Sequence, residues 1–257
     1  MTRVLAFGDD RSAEAERCWD WIARHRWDGW RLEIVTADPP ADMRPIESEE
    51  AELHAWEPVG PRPTVGLGFA DAENLRAEID PRVALISRPW DLVAIGPSGS
   101  GMLRSFHLGS TADWLIREPA SPLVVARQAG KVDKVTVAAD GSAHARRAIE
   151  TLASLPWLDG VSVRVVAVDD GRVDTSLSLE QATAILSATD ADVEEAVLHG
   201  RPTRALMAEI EETKPDLVVM GVRGEGGLKR LVVGSTAAAI AGSTDRSILV
   251  AHALTDA

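Results

Sequence analysis

The amino-acid sequence predicts two α/β domains in tandem, each with a doubly wound, mostly parallel sheet. Two observations support this fold class. The segment 92–127 aligns without a gap with the segment 217–252, so the chain contains an internal repeat. Within each copy, short apolar runs alternate with segments of helical spacing, which is typical of parallel strands covered by helices on both faces.

The openings of the two copies match as well. Asp10 aligns with Asp140 and Ser12 with Ser142, in each case directly after a short apolar run. A polar stretch, residues 128–133, separates the copies. We therefore predict one domain over residues 1–129 and a second over residues 132–257.

The second copy shows its elements most clearly. Apolar or β-branched runs bounded by turn residues predict strands, and apolar residues at helical spacing predict helices. In chain order, the predicted elements are a strand at 135–139, a helix at 143–155, a strand at 161–168, a helix at 179–188, a strand at 193–199, a helix at 203–213, a strand at 216–221, a helix at 235–241 and a strand at 247–251. The first copy is less regular between residues 38 and 65, where prolines and glutamates accumulate, and its second helix and third strand have no clear placement.

Composition narrows the class of protein. The chain has 257 residues, a net charge of -13 and one cysteine, Cys18, so an intramolecular disulfide is excluded. No basic surface for nucleic acid or anionic lipid is indicated. The N-terminal apolar run is too short for a signal peptide, and no apolar run of roughly 18 residues is present to span a bilayer. We expect a soluble cytoplasmic protein.

Glycines recur at the same places in both copies. In the second copy they follow a strand and precede a Ser-Thr pair that opens a helix; the positions are Gly221, Gly224, Gly234, Ser235 and Thr236. In the first copy the aligned positions are Gly96, Gly99, Gly109, Ser110 and Thr111. A glycine at a strand end admits positive φ and close approach of a ligand, and a helix N-terminus attracts phosphate.

A second interpretation of this pattern stays open. A strand-loop-helix connection needs glycine and an N-capping Ser or Thr for its own geometry, and such a need would also be duplicated. The pattern is neither a Walker loop, because GxxxxGK[ST] is absent, nor a Rossmann fingerprint, because the glycines follow the fourth strand.

The glycine spacing after an apolar strand, together with Asp-Gly-Ser after the first strand, resembles the universal stress protein family. Both copies fit, so the chain resembles a tandem two-domain member. The resemblance implies an adenine nucleotide alpha hydrolase-like fold, with five parallel strands in the order 3-2-1-4-5 in each domain. It also implies binding of ATP or AMP, and pairing through the last strands, 123–127 and 247–252, as a pseudo-dimer within the chain. Dimerisation of whole chains stays open.

The resemblance also implies which residues bind the nucleotide. In the second copy, the residue near adenine or ribose is Asp140, the residue offering backbone contacts to adenine is Val168, those on the ribose side are Met220 and Gly221, and those holding phosphates are Gly224, Gly234, Ser235 and Thr236. The matching first-copy positions are Asp10, Ala37, Ile95, Gly96, Gly99, Gly109, Ser110 and Thr111.

The first copy departs from the family pattern at three positions. Arg11 replaces the glycine of Asp-Gly-Ser, Ala37 replaces a valine, and Pro97 follows Gly96 without an N–H, which removes one donor that a ligand would use. We therefore expect the first site to be the less competent one.

Catalytic and metal-binding chemistry is weakly indicated. Asp169 and Asp170 are candidates to hold Mg²⁺ on the nucleotide, or are simply solvated acids. No general base or water-positioning residue is assigned, so at most slow ATP hydrolysis is expected. Three functions remain: a nucleotide-binding protein with a regulatory or stress-response role, a slow ATPase, and an interaction scaffold that binds no nucleotide.

Overall fold

The computed structural model describes residues 2–38, 53–58, 60–98, 108–118, 120–171, 174–222 and 234–253. The described residues up to Ala129 form one compact unit, and those from Gly130 onward form another. No helix in these ranges is both long enough and apolar enough to cross a bilayer.

The first unit alternates strands and helices around a parallel sheet. Its elements are β1 (Val4–Gly8), α1 (Ala13–Ala23), β2 (Arg31–Ala37), β3 (His54–Ala55), β4 (Asp71–Ala77), α2 (Pro81–Ala84), β5 (Leu92–Ile95), α3 (Ser110–Arg117) and β6 (Leu123–Val125). The strand order is β3-β4-β2-β1-β5-β6, and every pair is parallel except β3 with β4.

The second unit has the regular form of the same fold. Its elements are β7 (Lys134–Ala138), α4 (Ala143–Ala153), β8 (Ser162–Asp169), α5 (Thr175–Leu186), β9 (Asp192–His199), α6 (Pro202–Thr213), β10 (Leu217–Gly221), α7 (Ser235–Ser243) and β11 (Ser247–Ala251). The order β11-β10-β7-β8-β9 is the 3-2-1-4-5 arrangement, and all four pairs are parallel. The predicted fold class is confirmed.

The core follows from strand burial. β10 is buried along nearly its whole length, as expected for a central parallel strand covered on both faces, and β11 is buried throughout. α4 packs with α5, and α6 packs with α7. Right-handed crossovers place the first pair on one face of the sheet and the second pair on the other, because the chain moves in opposite directions along the sheet before and after β9.

Several predicted boundaries differ from the structure by one or two residues, and the start of α5 differs by four. α5 begins at Thr175, earlier than the predicted 179, because Asp174 caps it by accepting a hydrogen bond from Leu177 N at 3.0 Å. α4 ends at Ala153, before the predicted 155. The strand predicted at 247–251 has the bounds found in the structure.

The first unit departs from the predicted five strands. A sixth, two-residue strand, β3, pairs antiparallel with the outer edge of β4, and Trp56 N donates to Asn74 O at 3.0 Å. The third parallel strand, unplaced from the sequence, is β4. The connection from β2 to β4 contains no helix within the residues described there.

The place of α5 is taken in the first unit by a buried ion pair. In the second unit, Ala139 lines one small cavity with Ser178 and Ala182 of α5. The aligned residue of the first unit is Asp9, whose carboxylate is fully buried and receives a bidentate contact from Arg62 at 2.8 and 2.9 Å. A guanidinium on a connecting segment therefore fills the space that a helix fills in the other copy.

Candidate functional site

The candidate site of the second unit lies at the carboxyl edge of its sheet. The chain leaves β7 toward β8 on one side, and leaves β10 toward β11 on the other. The crevice between β7 and β10 is therefore the topological switch point, where open α/β sheets bind ligands. The N-terminus of α4 follows β7 here, and the N-terminus of α7 follows β10.

The Asp-Gly-Ser segment builds the turn into α4. Asp140 Oδ1 accepts a hydrogen bond from Ser142 N at 3.0 Å, Gly141 has φ of 76°, and Ser142 Oγ accepts from Ala145 N at 3.1 Å as the N-cap. Each residue type thus has a structural reason: a side-chain acceptor, a left-handed backbone and a cap. The sequence predicted a turn at this motif, but not that Asp140 and Ser142 would accept these hydrogen bonds.

The first unit builds the same turn with a different middle residue. Ser12 N donates to Asp10 Oδ1 at 3.0 Å, and Ser12 Oγ accepts from Ala15 N at 3.1 Å. Arg11 adopts φ of 59° where the second unit has glycine. A left-handed conformation at a residue with a Cβ costs roughly 1–2 kcal/mol, so other contacts must hold Arg11 in place.

Those contacts tie Arg11 to the connecting segment of the first unit. Arg11 Nη1 donates to Gly60 O at 3.0 Å, and its Nε lies 3.2 Å from Asp9. Arg62 bonds both Asp9 and Glu16. Burial lowers the pKa of Arg62, but hydrogen bonds from its guanidinium to these two carboxylates raise the pKa by more, so the group stays charged. The segment from Gly60 to Arg62 is therefore fastened beside the end of β1.

Gly221 has a reason other than the predicted one. A Cβ at Gly221 would lie 2.5 Å from Ala145 N and 2.8 Å from the carbonyl carbon of His144, and its φ is not in the left-handed region. Gly96 has the same relation to Glu14 O, at 2.6 Å. The predicted reason for glycine here, positive φ and room for a ligand in place of a Cβ, was wrong, because the first turn of α4 or α1 occupies that space. Contact of a nucleotide with Gly221 or Gly96 stays a prediction.

In each unit, an equivalent backbone hydrogen bond closes the loop that follows the fourth parallel strand. Gly234 N donates to Val222 O at 2.8 Å, and Gly109 N donates to Pro97 O at 2.7 Å. Gly224 and Gly99 lie outside the described residues, in the loops between these pairs.

The predicted effect of Pro97 was also wrong. Val222, its counterpart, donates its N–H to Ala251 O at 3.1 Å. What Pro97 removes is therefore a hydrogen bond within the protein, from the end of the fourth strand to the fifth. It does not remove a donor to a ligand.

The N-terminus of α7 differs from the capped helices. Its N-cap is Gly234, with no side-chain capping bond, and Gly109 has the same role in α3. The alternative explanation, a capping Ser or Thr, is therefore wrong: Ser235 and Thr236 are the first helical residues. Ser235 is exposed, and Thr236 Oγ1 lies 3.1 Å from Thr203 Oγ1 at the start of α6. Thr203 was not predicted, since no sequence pattern links it to residue 236.

Val168 presents its backbone to the crevice. Ala139 N donates to Val166 O at 2.9 Å, so Val166 faces β7. Residues two apart on a parallel strand direct their N–H and C=O groups to the same neighbour, so Val168 faces the same side, beyond the end of β7. Ala37 is placed likewise, because Asp9 N donates to Val35 O. Met220 is buried within β10, and Ile95 within β5.

The other predicted candidates have partners within the protein. Asp169 accepts from Gly171 N at 3.1 Å and lies 3.8 Å from His199. Across the described ranges, no group of three potential ligands is arranged to hold a metal ion. Burial, followed by the charge of Asp9, raises the pKa of the Cys18 thiol, which indicates packing and not reactivity.

A cavity of about 450 Å³ lies elsewhere, at the amino end of β4, and includes Arg26 and Phe69 in its lining. Arg26 is paired with Asp28 at 2.8 Å. Ligands of open α/β sheets bind at the opposite edge, so we do not take this cavity as the site.

Comparisons with known proteins agree with the fold and the motifs. Residues 131–252 match the model described as "Universal stress protein family". A universal stress protein from Synechocystis is 28% identical over 164 residues, which cover 62% of this chain and 57% of that protein. One from Mycobacterium tuberculosis is 28% identical over 194 residues, which cover 67% of this chain and 65% of that protein. The matched part of the chain thus spans less than two thirds of either relative.

A solved structure extends the likeness in fold to the whole chain. The crystal structure of a universal stress protein from Archaeoglobus fulgidus superposes with a TM-score of 0.68, covering 100% of this chain and 98% of the other, at 18% identity. The second unit, which contains residues 131–252, therefore belongs to the universal stress protein family, and the whole chain shares the fold of that solved structure.

Proposed function

We propose that the second unit binds an adenine nucleotide, ATP or AMP, at the crevice between β7 and β10, and that the bound nucleotide regulates the protein in a stress response. The observation that carries this proposal is the N-terminus of α7, which starts at a glycine without a side-chain cap at the switch point of the sheet. Family membership makes this class of ligand the natural candidate.

Phosphate groups are the part of the ligand that this helix start suits. The first N–H groups of a helix have no partner within the helix, and the helix dipole adds partial positive charge. At α4 and α5 a Ser or Asp side chain accepts a hydrogen bond from one of these N–H groups. Gly234, at α7, has no side chain to act as an acceptor. An anionic phosphate oxygen would take that role at α7, with the exposed Ser235 hydroxyl as a further donor.

The base and sugar would lie toward β8. Val168 directs its backbone N–H and C=O past the end of β7, where an adenine edge can pair with one donor and one acceptor. Asp140 is half-buried in the turn that follows β7. A carboxylate accepts several hydrogen bonds, so Asp140 can accept one from a ribose hydroxyl in addition to the one from Ser142 N–H.

The first unit is proposed to bind the nucleotide more weakly or not at all. Arg11 and Arg62 fasten residues Gly60 to Arg62 beside the end of β1, next to Asp10. At the start of α2, the Asp80 carboxylate caps the helix and pairs with Arg82, which places an acid near the same edge. The fastened segment would hinder a ligand by occupying space next to Asp10, whereas the charge of Asp80 is largely offset by Arg82.

A regulatory role is favoured over catalysis. The described residues at the α7 N-terminus are Gly234, Ser235 and Thr236, which suit phosphate binding and supply no general base. A bound nucleotide shifts a conformational equilibrium only by its difference in affinity for the two states. Mg²⁺ accompanying the nucleotide stays a prediction.

One observation favours the alternative, a scaffold without a nucleotide. The glycines at 221 and 96 are fully explained by the close crossing of α4 and α1, so half of the glycine pattern needs no ligand. In this interpretation the α7 N-terminus is hydrated.

The test is to release bound molecules from the purified protein with acid, identify them by mass spectrometry, and titrate ATP and AMP into stripped protein by calorimetry. We expect a single adenine nucleotide per chain. Binding at two equivalent sites would show that the Gly60–Arg62 segment is no obstacle. An absence of both retained nucleotide and titration heat would establish the scaffold interpretation.

A further inference from the structure

The outer edge of β9 exposes a row of backbone groups. Asp192 N donates to Val161 O at 3.0 Å, and Gly200 N donates to Asp169 O at 3.2 Å. Even-numbered residues of β9 therefore face β8, and odd-numbered residues direct their N–H and C=O groups away from the sheet. Within the described residues β9 is the last strand on this side of its sheet.

The first unit covers the corresponding edge with its own chain. The outward groups there belong to Asn74 and Arg76 of β4. Trp56 N donates to Asn74 O at 3.0 Å, and His54 pairs with Arg76 in an antiparallel register. Arg76 also lies over the Trp56 ring, 5.2 Å from its centroid, so the covering segment contributes a side-chain contact as well.

The register of the sheets identifies the equivalent positions in β9. Asp9 N bonds Val35 O and Ala139 N bonds Val166 O, so Val35 and Val166 correspond. Val35 pairs with Leu75, and Val166 pairs with Ala196. The outward residues Asn74 and Arg76 therefore correspond to Glu195 and Val197.

Val197 marks this place on the surface. Val197 is one of three large hydrophobic residues that are exposed within the described ranges, and 42% of its surface is accessible to solvent. β9 has eight residues and contains no lysine, proline or glycine, the residues that most often protect an edge strand from pairing.

The charges of the strand are all acidic. Asp192, Glu194 and Glu195 project from β9, and no arginine or lysine does. Glu195 accepts from Thr183 Oγ1, and Glu194 pairs with Arg164 at 2.9 Å while its side chain stays 60% exposed. Neighbouring residues of a strand point to opposite faces, so acid flanks the edge on both faces of the sheet.

We propose that the outer edge of β9 binds an extended, basic segment of a partner protein, which adds to the sheet as an antiparallel strand. Its backbone would bond the outward groups of Glu195 and Val197, as residues 54–56 bond β4 in the first unit. Lysine or arginine side chains would pair with Glu194 and Glu195, and an apolar side chain would cover Val197. A second copy of this chain is a poorer occupant, because it brings the same acids and a net charge of -13.

The probe is a fluorescent peptide about the length of β9, with valine at the position opposite Val197 and lysine at the positions opposite Glu195 and Glu194 in the antiparallel register. Its control is the same peptide with every second backbone nitrogen methylated, which keeps charge and side chains but removes donors. We expect the methylated peptide to bind at least about tenfold more weakly, since losing two backbone bonds of roughly 1 kcal/mol each corresponds to that change. Hydrogen exchange at Glu195 and Val197 N–H should slow only with the unmodified peptide.

The matched protein variants are Val197→Pro and Val197→Thr. Proline at 197 removes one outward N–H and leaves the β8–β9 bonds intact, so binding should fall about fivefold, and threonine should preserve it. The proposal is overturned by absence of peptide binding, by equal affinity for the two peptides, or by light scattering that shows a dimer broken by Val197→Pro. If Val197→Pro does not fold, the comparison of the two peptides on the unaltered protein decides alone.

Discussion

The backbone nitrogen of Ala145, in the first turn of α4, lies 2.5 Å from the point where a Cβ of Gly221 would stand. The first unit repeats the relationship between Gly96 and Glu14, whose carbonyl oxygen would lie 2.6 Å from such a Cβ. The helix after the first strand thus crosses the end of the fourth strand in direct backbone contact. This crossing fixes the N-terminus of α4 beside the switch point.

Gly221→Ala should therefore destabilise the second unit. The new methyl group meets backbone atoms that cannot rotate away, and overpacking of this kind costs about 1–3 kcal/mol. The control is Gly242→Ala in α7, where a Cβ meets nothing within 4 Å and alanine favours the helix. Urea unfolding followed by circular dichroism gives both values. Equal midpoints for the two variants would contradict the close crossing.

The Arg62 ion pair should be worth more to the first unit than an exposed pair. Arg62→Gln leaves the buried Asp9 carboxylate without its main partner, and breaking a buried pair in this way costs about 3–5 kcal/mol. Arg11 still contacts Asp9, so the lower end of that range is expected.

The double variant Asp9→Asn with Arg62→Gln provides the test of coupling. Removing both charges should recover part of the loss, because no uncompensated charge is left in the interior. Arg117→Gln, which breaks an exposed pair with Asp113, is the control and should change the unfolding midpoint little. Strictly additive effects of the two single changes would show that Asp9 and Arg62 do not interact.

Val222→Pro separates stability from ligand binding. The substitution reproduces Pro97 of the first unit and removes the bond from Val222 N to Ala251 O. We expect a loss of about 1–2 kcal/mol in stability, since the bond is buried, with little change in affinity for ATP. Urea unfolding measures the change in stability, and calorimetric titration of the folded variant with ATP measures the affinity. A large drop in affinity would reinstate residue 222 as a ligand donor.

Most elements of the second unit could be predicted from the sequence pattern, and their strand order was implied by the resemblance to the universal stress protein family. Its buried strands are continuous apolar runs, and turn residues or proline bound them, as at Lys214-Pro215. The start of α5 was missed because Thr175 to Ser178 has no strong helical pattern, and the cap at Asp174 determines it. The first unit was less predictable, since Arg62 and Asp9 are far apart in the chain and no local pattern pairs them.

The sequence indicated where the candidate site lies, but not why glycines occur there. Repeated glycines indicated that a side chain is excluded, yet the sequence does not say whether a ligand or a helix excludes it. At Gly221 it is a helix. At Gly234 the glycine is the N-cap, a role that one of the two interpretations of the sequence gave to the neighbouring hydroxyl residues.

The most direct test of nucleotide binding at α7 is the affinity of Ser235→Asp for ATP, measured by calorimetry on stripped protein beside Ser110→Asp. A carboxylate at a helix N-terminus stabilises the helix by about 0.3–1 kcal/mol, so a loss of binding would not reflect unfolding. The added carboxylate would stand where the phosphates are proposed to bind, and repulsion of roughly 1–4 kcal/mol weakens binding at least about fivefold. We predict that loss for Ser235→Asp and unchanged affinity for Ser110→Asp. Unchanged affinity in Ser235→Asp would contradict the proposed site.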